Sequence, residues 1–207
     1  MKNFLAKLLV IVALLVVIRP VSANVSLVVL GDSLSAGYGM AQSESWVGVL
    51  QDRWAEKYPD ITLINASISG DTTQGALNRL AGVIERHQPD AVFVELGGND
   101  GLRGFTPAAI SDNLVQIIMH LQQQDAKVAL SQVRIPPNYG QRYSEMFANI
   151  FPQVAEQQNV PLIPFFMESI IENESLMQGD GIHPNREAQP LIADIMEEHL
   201  LELVQKR

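Results

Sequence analysis

Residues able to perform nucleophilic chemistry occur near both ends of this sequence. Ser33 follows a short apolar run and offers a hydroxyl nucleophile. His183 offers a neutral imidazole that could take the serine proton and pass it to a leaving group. Asp180 lies three residues before His183, in a turn made by Gly181, so one loop could supply both the base and the carboxylate that orients it. These residue types in this pattern predict acyl transfer.

A tetrahedral acyl intermediate also needs N–H donors directed at its negative oxygen. The sequence offers three candidates, namely the backbone N–H of Ser33, the backbone N–H of Gly70 and the side-chain amide of Asn99. Gly70 has no Cβ, so a substrate could approach its amide closely. We therefore predict an oxyanion hole formed by Ser33, Gly70 and Asn99.

Each of these residues also has an ordinary structural explanation. A serine after a strand most often caps the following helix, and a single histidine more often lies in a loop. Gly70 could be a loop glycine, while Asn99-Asp100 and Asp180-Gly181 could be simple turns. Chemistry is favoured by the joint placement of these segments, because each of them follows a predicted strand.

Short apolar runs alternate with longer amphipathic ones along the chain. Five runs rich in Val, Ile, Leu and Ala predict strands buried on both faces: Ser26–Leu30, Ile61–Asn65, Ala91–Leu96, Lys127–Ser131 and Pro161–Phe165. Five segments predict helices: Trp46–Tyr58, Gly75–His87, Pro107–Gln124, Arg142–Gln158 and Glu187–Val204. This alternation predicts an α/β fold with a parallel sheet covered on both faces. Ligands of such sheets bind at the carboxyl ends of the strands, where the polar segments should meet.

The composition limits the class of protein further. The chain has 207 residues with 14 Lys and Arg and 23 Asp and Glu, so its net charge is −9. Since there is no basic stripe, we expect no nucleic-acid partner. The chain contains no cysteine, which excludes disulfides, thiolate metal sites and cysteine nucleophiles. No metal-binding or phosphate-binding motif is present either, so we expect neither a metal nor a cofactor.

Residues 1–23 have the pattern of a secretory signal peptide. A basic start that includes Lys2 precedes the apolar run Leu8–Ile18, which is 11 residues long. A membrane-spanning helix needs roughly 17–25 apolar residues, so an uncleaved anchor or a buried helix is the weaker alternative. Small residues before position 24 fit cleavage after Ala23. We therefore predict a periplasmic or secreted domain of residues 24–207 without a stable membrane anchor.

Together, the polar segments resemble the four sequence blocks of the GDSL, or SGNH, hydrolases. The matching residues are Gly31–Leu34, Gly70, Gly98–Asp100 and Asp180–Pro184, in the order of the family. The resemblance implies a flavodoxin-like three-layer α/β/α sandwich with a five-stranded parallel sheet in the order 2-1-3-4-5. It also implies that Ser33 is the nucleophile, served by the base, the carboxylate and the oxyanion donors described above.

The resemblance further implies hydrolysis of carboxylic esters and thioesters, including long-chain acyl thioesters, lysophospholipids and aryl esters. The segment Gly101–Thr106 would correspond to a mobile loop that adjusts to the acyl chain. Candidate substrate-binding residues near the same sheet edge are Gly101, Leu102, Phe105, Ile135 and Tyr139. A carbohydrate O-deacetylase of the same fold and a non-catalytic lipid-binding module are the alternatives. We expect a monomer that acts on small-molecule acyl esters.

Overall fold

A parallel sheet organises the protein in the computed structural model, which describes residues 24–205. Its strands are β1 (Val25–Gly31), β2 (Ile61–Asn65), β3 (Ala91–Glu95), β4 (Lys127–Ser131) and β5 (Leu162–Ile163). They lie in the order β2-β1-β3-β4-β5, and each neighbouring pair is parallel. The predicted α/β fold and strand order are confirmed. The predicted signal peptide, residues 1–23, lies outside the described residues.

Helices connect the strands and cover both faces of the sheet. In chain order they are α1 (Ser33–Ala36), α2 (Trp46–Lys57), α3 (Thr73–His87), α4 (Gly98–Leu102), α5 (Pro107–Gln122), α6 (Gln141–Ala148), α7 (Ile150–Gln158), α8 (Glu168–Ile171) and α9 (Gln189–Gln205). Short 3₁₀ helices lie at Gln42–Glu44, Pro137–Tyr139 and Glu174–Leu176. Within residues 24–205, no helix combines the length and the apolar character that crossing a membrane requires.

Each face of the sheet has its own apolar core. Along β1, Leu27 and Val29 pack into one cluster with residues of α2 and α9. Val28 and Leu30 point the other way, into a cluster with residues of α3, α5 and α7. All four side chains are fully buried. Because both faces are covered, the strands read as continuous apolar runs, and polar residues are left for the carboxyl ends.

Two predicted elements differ from the structure, and proline explains both differences. The single helix predicted over Arg142–Gln158 is divided at Asn149 into α6 and α7. Pro152 lacks an N–H, and its ring would clash with the carbonyl of Ala148 in a continuous helix, so the first helix ends there.

The last strand is also shorter than predicted. β5 covers only Leu162–Ile163, whereas the apolar run predicted a strand over Pro161–Phe165. Pro161 and Pro164 flank the observed strand and cannot donate hydrogen bonds to a neighbouring strand. The chain therefore leaves the sheet early after β5, and the residues that follow are available to build the site.

Candidate active site

The predicted site residues meet at the carboxyl edge of the sheet. β1 leads directly to Ser33 at the start of α1, and β3 leads to Asn99 in α4. The segment after β2 carries Gly70, and the stretch between β5 and α9 carries His183. Although Ser33 and His183 are 150 residues apart in sequence, their side chains are hydrogen-bonded. The parallel topology is responsible, because it places the ends of all the strands at one edge.

Ser33, His183 and Asp180 form a continuous hydrogen-bonded chain. His183 Nε2 lies 2.8 Å from Ser33 Oγ, and His183 Nδ1 lies 2.6 Å from Asp180 Oδ2. Since an ionised carboxylate only accepts hydrogen bonds, the network assigns the ring proton to Nδ1. Nε2 is then free to accept the hydroxyl proton of Ser33. This arrangement is the one in which an imidazole activates a serine nucleophile.

Hydrogen bonds keep Asp180 in its charged form. Partial burial by itself would raise the pKa of the carboxyl, but donors from its own turn outweigh that effect and lower the pKa to about 2. The backbone N–H groups of His183 and Ile182 donate to Oδ1 at 3.0 and 2.9 Å, while the His183 ring donates to Oδ2. Asp180 therefore carries a negative charge at neutral pH, and its Oδ2 can accept a hydrogen bond from the His183 ring.

The structure argues against a helix-capping role for Ser33. Asp32 occupies the N-cap position of α1, and its Oδ1 accepts a hydrogen bond from the backbone N–H of Leu34 at 3.1 Å. The Ser33 hydroxyl faces His183 instead. The cap is thus supplied by a neighbouring residue, and the ordinary explanation for a serine at this position does not apply.

Two of the candidate oxyanion donors are backbone N–H groups that have no internal partner in the described part of the chain. Within residues 24–205, neither the N–H of Ser33 nor that of Gly70 donates a hydrogen bond to a protein acceptor. Gly70 has a φ of +81°, and a Cβ built there would have no atom within 4 Å, so the space in front of this residue is open. Arg103 holds the Gly70 segment in place, because its Nη2 donates a hydrogen bond to the Gly70 carbonyl at 3.0 Å.

Asn99 is held beside Ser33 by a buried carboxyl. Its side-chain Nδ2 donates to Asp32 Oδ2 at 3.2 Å. The next residue, Asp100, is fully buried and accepts hydrogen bonds from the backbone N–H and the hydroxyl of Thr73, at 2.9 and 2.6 Å. These bonds join α4 to the start of α3, which follows the Gly70 segment. Asn99 and Asp100 are therefore not a simple turn, because their hydrogen bonds link α4 to Asp32 and to the start of α3.

A third buried carboxyl, that of Glu95, which sequence reasoning missed, lies beneath the Ser33 segment. Asp32 and Glu95 are only 2% and 1% exposed. Glu95 Oε2 accepts a hydrogen bond from the Ser35 hydroxyl at 2.8 Å. Burial raises the pKa of Asp32 to about 6, and burial together with the Asp32 charge raises the pKa of Glu95 well above its usual range. Burial therefore favours the protonated form of Glu95.

Replacing Glu95 with glutamine should reduce the loss of stability that the wild-type protein shows between pH 4 and pH 8. The folded state keeps the Glu95 proton to a higher pH than the unfolded chain does, so wild-type stability falls as the pH rises above the usual glutamate value of 4.5. Glutamine resembles the protonated acid and removes this loss. We expect the free energy of unfolding of the variant to fall less than that of the wild type between pH 4 and pH 8, measured by urea denaturation.

The control for this prediction is Glu56→Gln, which replaces an exposed carboxylate of α2. Its effect on the free energy of unfolding should be small and similar at both values of pH. If Glu95→Gln destabilised the protein equally at pH 4 and pH 8, Glu95 would not be the protonated buried acid described here.

An apolar cavity of about 400 Å³ opens next to Ser33. Its lining contains few polar residues, among them Ser33, Asn99 and Arg134. The apolar lining consists of Leu34, Leu102, Val133, Ile135, Pro136, Pro137, Phe165, Met167, Ile171 and Ile182. A cavity that joins a nucleophile to an apolar wall can hold the hydrocarbon part of an acyl group.

The candidate substrate-binding residues have different positions relative to this cavity. Leu102 and Ile135 are part of its lining, whereas Gly101, Phe105 and Tyr139 are not among the lining residues. Gly101 is buried, and a Cβ there would lie 2.6 Å from Ile135 and 2.7 Å from Phe147, so this position needs a glycine for packing. We therefore restrict the proposal of direct substrate contact to Leu102 and Ile135.

The other two candidate residues lie at the edge of the Gly101–Thr106 segment. Tyr139 and Phe105 are both exposed. The Tyr139 hydroxyl donates to the Leu102 carbonyl at 2.9 Å, and the Tyr143 hydroxyl donates to the Phe105 carbonyl at 2.6 Å. The tyrosines thus hold the backbone of this segment from outside the cavity.

Sequence reasoning missed the part of the cavity that follows β5. Phe165, Met167 and Ile171 belong to the lining but show no periodicity that separates them from core residues. Their position in the sequence could have identified them, since residues directly after a strand of a parallel sheet reach the carboxyl edge of that sheet.

This combination of fold and site defines a class of enzyme. The carboxyl edge of the parallel sheet holds a serine that is hydrogen-bonded to a histidine, which is in turn hydrogen-bonded to an aspartate, and an apolar cavity opens next to the serine. These are the parts of a serine hydrolase that acts on acyl groups.

The chain belongs to the GDSL-like lipase/acylhydrolase family, whose model matches residues 29–190. It is 50% identical over 179 residues to an arylesterase of Vibrio mimicus, covering 86% of this chain and 90% of the relative. It is 51% identical over 179 residues to thioesterase 1/protease 1/lysophospholipase L1 of Escherichia coli strain K12, covering 86% of this chain and 85% of the relative. The family resemblance inferred from the four blocks is confirmed, and the chain is a hydrolase of esters and thioesters.

The fold is also similar to that of a solved esterase. The crystal structure of the psychrotrophic esterase EstA from Pseudoalteromonas sp., inhibited by monoethylphosphonate, matches with a TM-score of 0.85 and 46% identity. The match covers 87% of this chain and 99% of that one.

Proposed function

We propose that Ser33 forms a covalent acyl intermediate, with His183 as the general base and Asp180 as the carboxylate that orients it. The observation that carries this proposal is the hydrogen-bonded chain from Ser33 Oγ through His183 to Asp180, with distances of 2.8 and 2.6 Å. Replacement of Ser33 with alanine and labelling of Ser33 by a phosphonate test the proposal.

The reaction begins with attack of Ser33 Oγ on the carbonyl carbon of the ester or thioester. The hydroxyl proton passes to His183 Nε2, and the electron pair of the carbonyl bond moves onto its oxygen. The N–H groups of Ser33 and Gly70 and the amide of Asn99 stabilise that negative oxygen. When the carbonyl re-forms, the bond to the leaving group breaks and His183 returns its proton to the departing alkoxide or thiolate.

A water molecule completes the cycle. His183 takes a proton from the water while the water oxygen attacks the acyl carbon on Ser33. The second tetrahedral intermediate uses the same donors and collapses with the bond to Ser33 Oγ broken. His183 returns the proton to Ser33, and a carboxylic acid is released.

The apolar cavity supports substrates with a hydrocarbon acyl chain. Since Leu102, Ile135 and other apolar residues form its wall, we propose long-chain acyl thioesters, lysophospholipids and aryl esters as substrates. The names of two relatives, an arylesterase and a thioesterase 1/protease 1/lysophospholipase L1, are consistent with this set.

Activity should rise with acyl chain length in a series of p-nitrophenyl esters from acetate upward. Each methylene buried in the cavity contributes about 0.8 kcal/mol, so kcat/KM should increase up to about fourfold per methylene until the cavity is filled. The variant Ile171→Ala tests whether the cavity wall causes this increase, because it removes an exposed side chain from that wall. This variant should lose activity on long esters and keep it on the acetate. Activity confined to acetyl esters, and rising when the acetyl group is on a sugar, would favour the O-deacetylase.

We also propose that residues 1–23 are a signal peptide and that residues 24–207 form the mature hydrolase in the periplasm or outside the cell. The basic start and the 11-residue apolar run support this localisation. An exported enzyme meets little cytosolic acyl thioester, so lysophospholipids and external esters are the more accessible substrates.

Mass spectrometry of the exported protein should find Asn24 at its N-terminus, and an intact Met1 would contradict the proposal. The prediction of a monomer is tested by sedimentation of the same material.

A further inference from the structure

The ring of Tyr38 lies flat against the imidazole of His183. The two ring centroids are 4.2 Å apart, and the ring planes are inclined by 29°. Tyr38 is 47% exposed. Its hydroxyl makes no hydrogen bond to any residue in the described part of the chain. The aromatic face, and not the phenol group, is therefore what Tyr38 presents to His183.

Gln178 links the Tyr38 segment to the His183 segment. Its side-chain Nε2 donates to the carbonyl of Tyr38 at 2.8 Å and to the carbonyl of Pro184 at 3.0 Å. Its backbone N–H donates to the carbonyl of His183 at 2.8 Å. The Gln178 side chain thus links Tyr38 to the loop that carries His183, although Gln178 and Tyr38 are 140 positions apart in sequence.

The backbone around Tyr38 is shaped for this contact. Gly37 and Gly39 both have a φ of +77°, in the left-handed region that glycine enters most readily. The N–H of Tyr38 donates back to the Ser33 carbonyl at 3.2 Å. A Cβ at Gly39 would lie 2.9 Å from Gln178 Oε1, so the absence of a side chain there leaves room for the Gln178 amide.

We propose that Tyr38 is a positioning residue for His183, held by Gln178, whose aromatic face stabilises the imidazolium that forms during each proton transfer. The proposal rests on the proposed role of His183 as the general base. A cation over an aromatic face is attracted by the negative centre of the ring, within about 6 Å of the centroid. Asp180 acts on His183 in the plane of the imidazole through Nδ1, whereas Tyr38 acts from its face.

The test separates the electrostatic effect of the ring from its shape. Tyr38→Phe keeps the ring, and kcat should stay within about twofold of wild type. Tyr38→Leu keeps an apolar cover without a ring, and pentafluorophenylalanine at position 38 keeps the shape but reverses the charge distribution of the face. We expect both of these to lower kcat about fivefold, with KM changed by less than about twofold.

Gln178→Met tests how Tyr38 is held, because methionine has a similar length but no N–H donor. It should lower kcat to a similar extent as Tyr38→Leu. The variant that combines Gln178→Met with Tyr38→Leu should be no slower than either single variant, because both changes should lower kcat through the same contact between Tyr38 and His183. Additive losses would show that Gln178 does not act through Tyr38 and would overturn that part of the proposal.

Two further outcomes distinguish this proposal from the proposed function. If Ser33 is labelled by a phosphonate in wild type but the pentafluorinated variant is as active as Tyr38→Phe, the Tyr38 proposal is wrong and the acyl-enzyme mechanism stands. If Ser33 is not labelled and Ser33→Ala remains active, the proposed function fails and the Tyr38 proposal fails with it.

Discussion

Replacing Ser33 with alanine should reduce kcat/KM for ester hydrolysis about 10³-fold or more. Alanine removes the oxygen that forms the acyl intermediate, and His183 is left without the proton it is positioned to accept. The backbone donors and the apolar cavity remain, so a low residual activity over the uncatalysed reaction is expected. Steady-state rates on a p-nitrophenyl ester and an acyl thioester measure the effect.

Ser35→Ala is the matched control for this replacement. Ser35 lies two residues further along α1, but its hydroxyl donates to Glu95 and does not face His183. This variant should keep most of the activity. In the wild-type enzyme a phosphonate should label Ser33 with a stoichiometry of about one, as expected for an activated serine nucleophile. Label on another residue would disprove the assignment of Ser33, as would full activity of Ser33→Ala.

The same variant separates the hydrolase from a lipid-binding module. If the protein acted only by binding, Ser33→Ala would keep its ligand affinity and the wild type would show no turnover. Membership of the chain in the acylhydrolase family argues for turnover.

Replacing Asn99 with alanine should reduce kcat by about 10²–10³-fold while KM changes little. The side-chain amide is expected to donate to the oxygen only after that oxygen becomes negative, so its loss affects the transition state more than substrate binding. In the structure the amide is held near Ser33 by its hydrogen bond to Asp32. Pre-steady-state acylation rates and kcat measured over a range of substrate concentrations would show where the loss falls.

Asn113→Ala is a suitable control for Asn99→Ala. Asn113 also has a partly buried amide, which donates to the Thr73 hydroxyl at 3.0 Å, but it belongs to α5 and does not line the cavity. Its replacement should lower thermal stability without a comparable loss of kcat. A change in KM alone for Asn99→Ala would make Asn99 a substrate-positioning residue and not an oxyanion donor.

Much of the fold was predictable because the relevant signals are local. Strands buried on both faces leave continuous apolar runs, and the observed strands lie within or close to the five predicted ones. The boundaries that failed depend on prolines that interrupt an otherwise regular pattern, namely Pro152 near Asn149, and Pro161 and Pro164 around β5.

The convergence of the polar segments was also predictable, because it requires only a parallel sheet. Once the strands are parallel, residues that follow them share one edge, and Ser33, Gly70, Asn99 and His183 all follow strands. The strand order itself came from the family resemblance and not from the residue pattern.

The sequence by itself determined which chemical groups the site contains, that they lie at the carboxyl edge of the sheet, and which family the chain belongs to. Residue types and backbone periodicity are properties of short segments, so they can be read without the tertiary structure. The tertiary structure decided which apolar residues line the cavity, that Glu95 is buried beneath the nucleophile, and that Tyr38 covers His183. These features depend on contacts between residues 60 to 150 positions apart, such as Ser35 with Glu95 and Ser33 with His183. No local pattern encodes such contacts, since burial and stacking arise only when separate segments pack together.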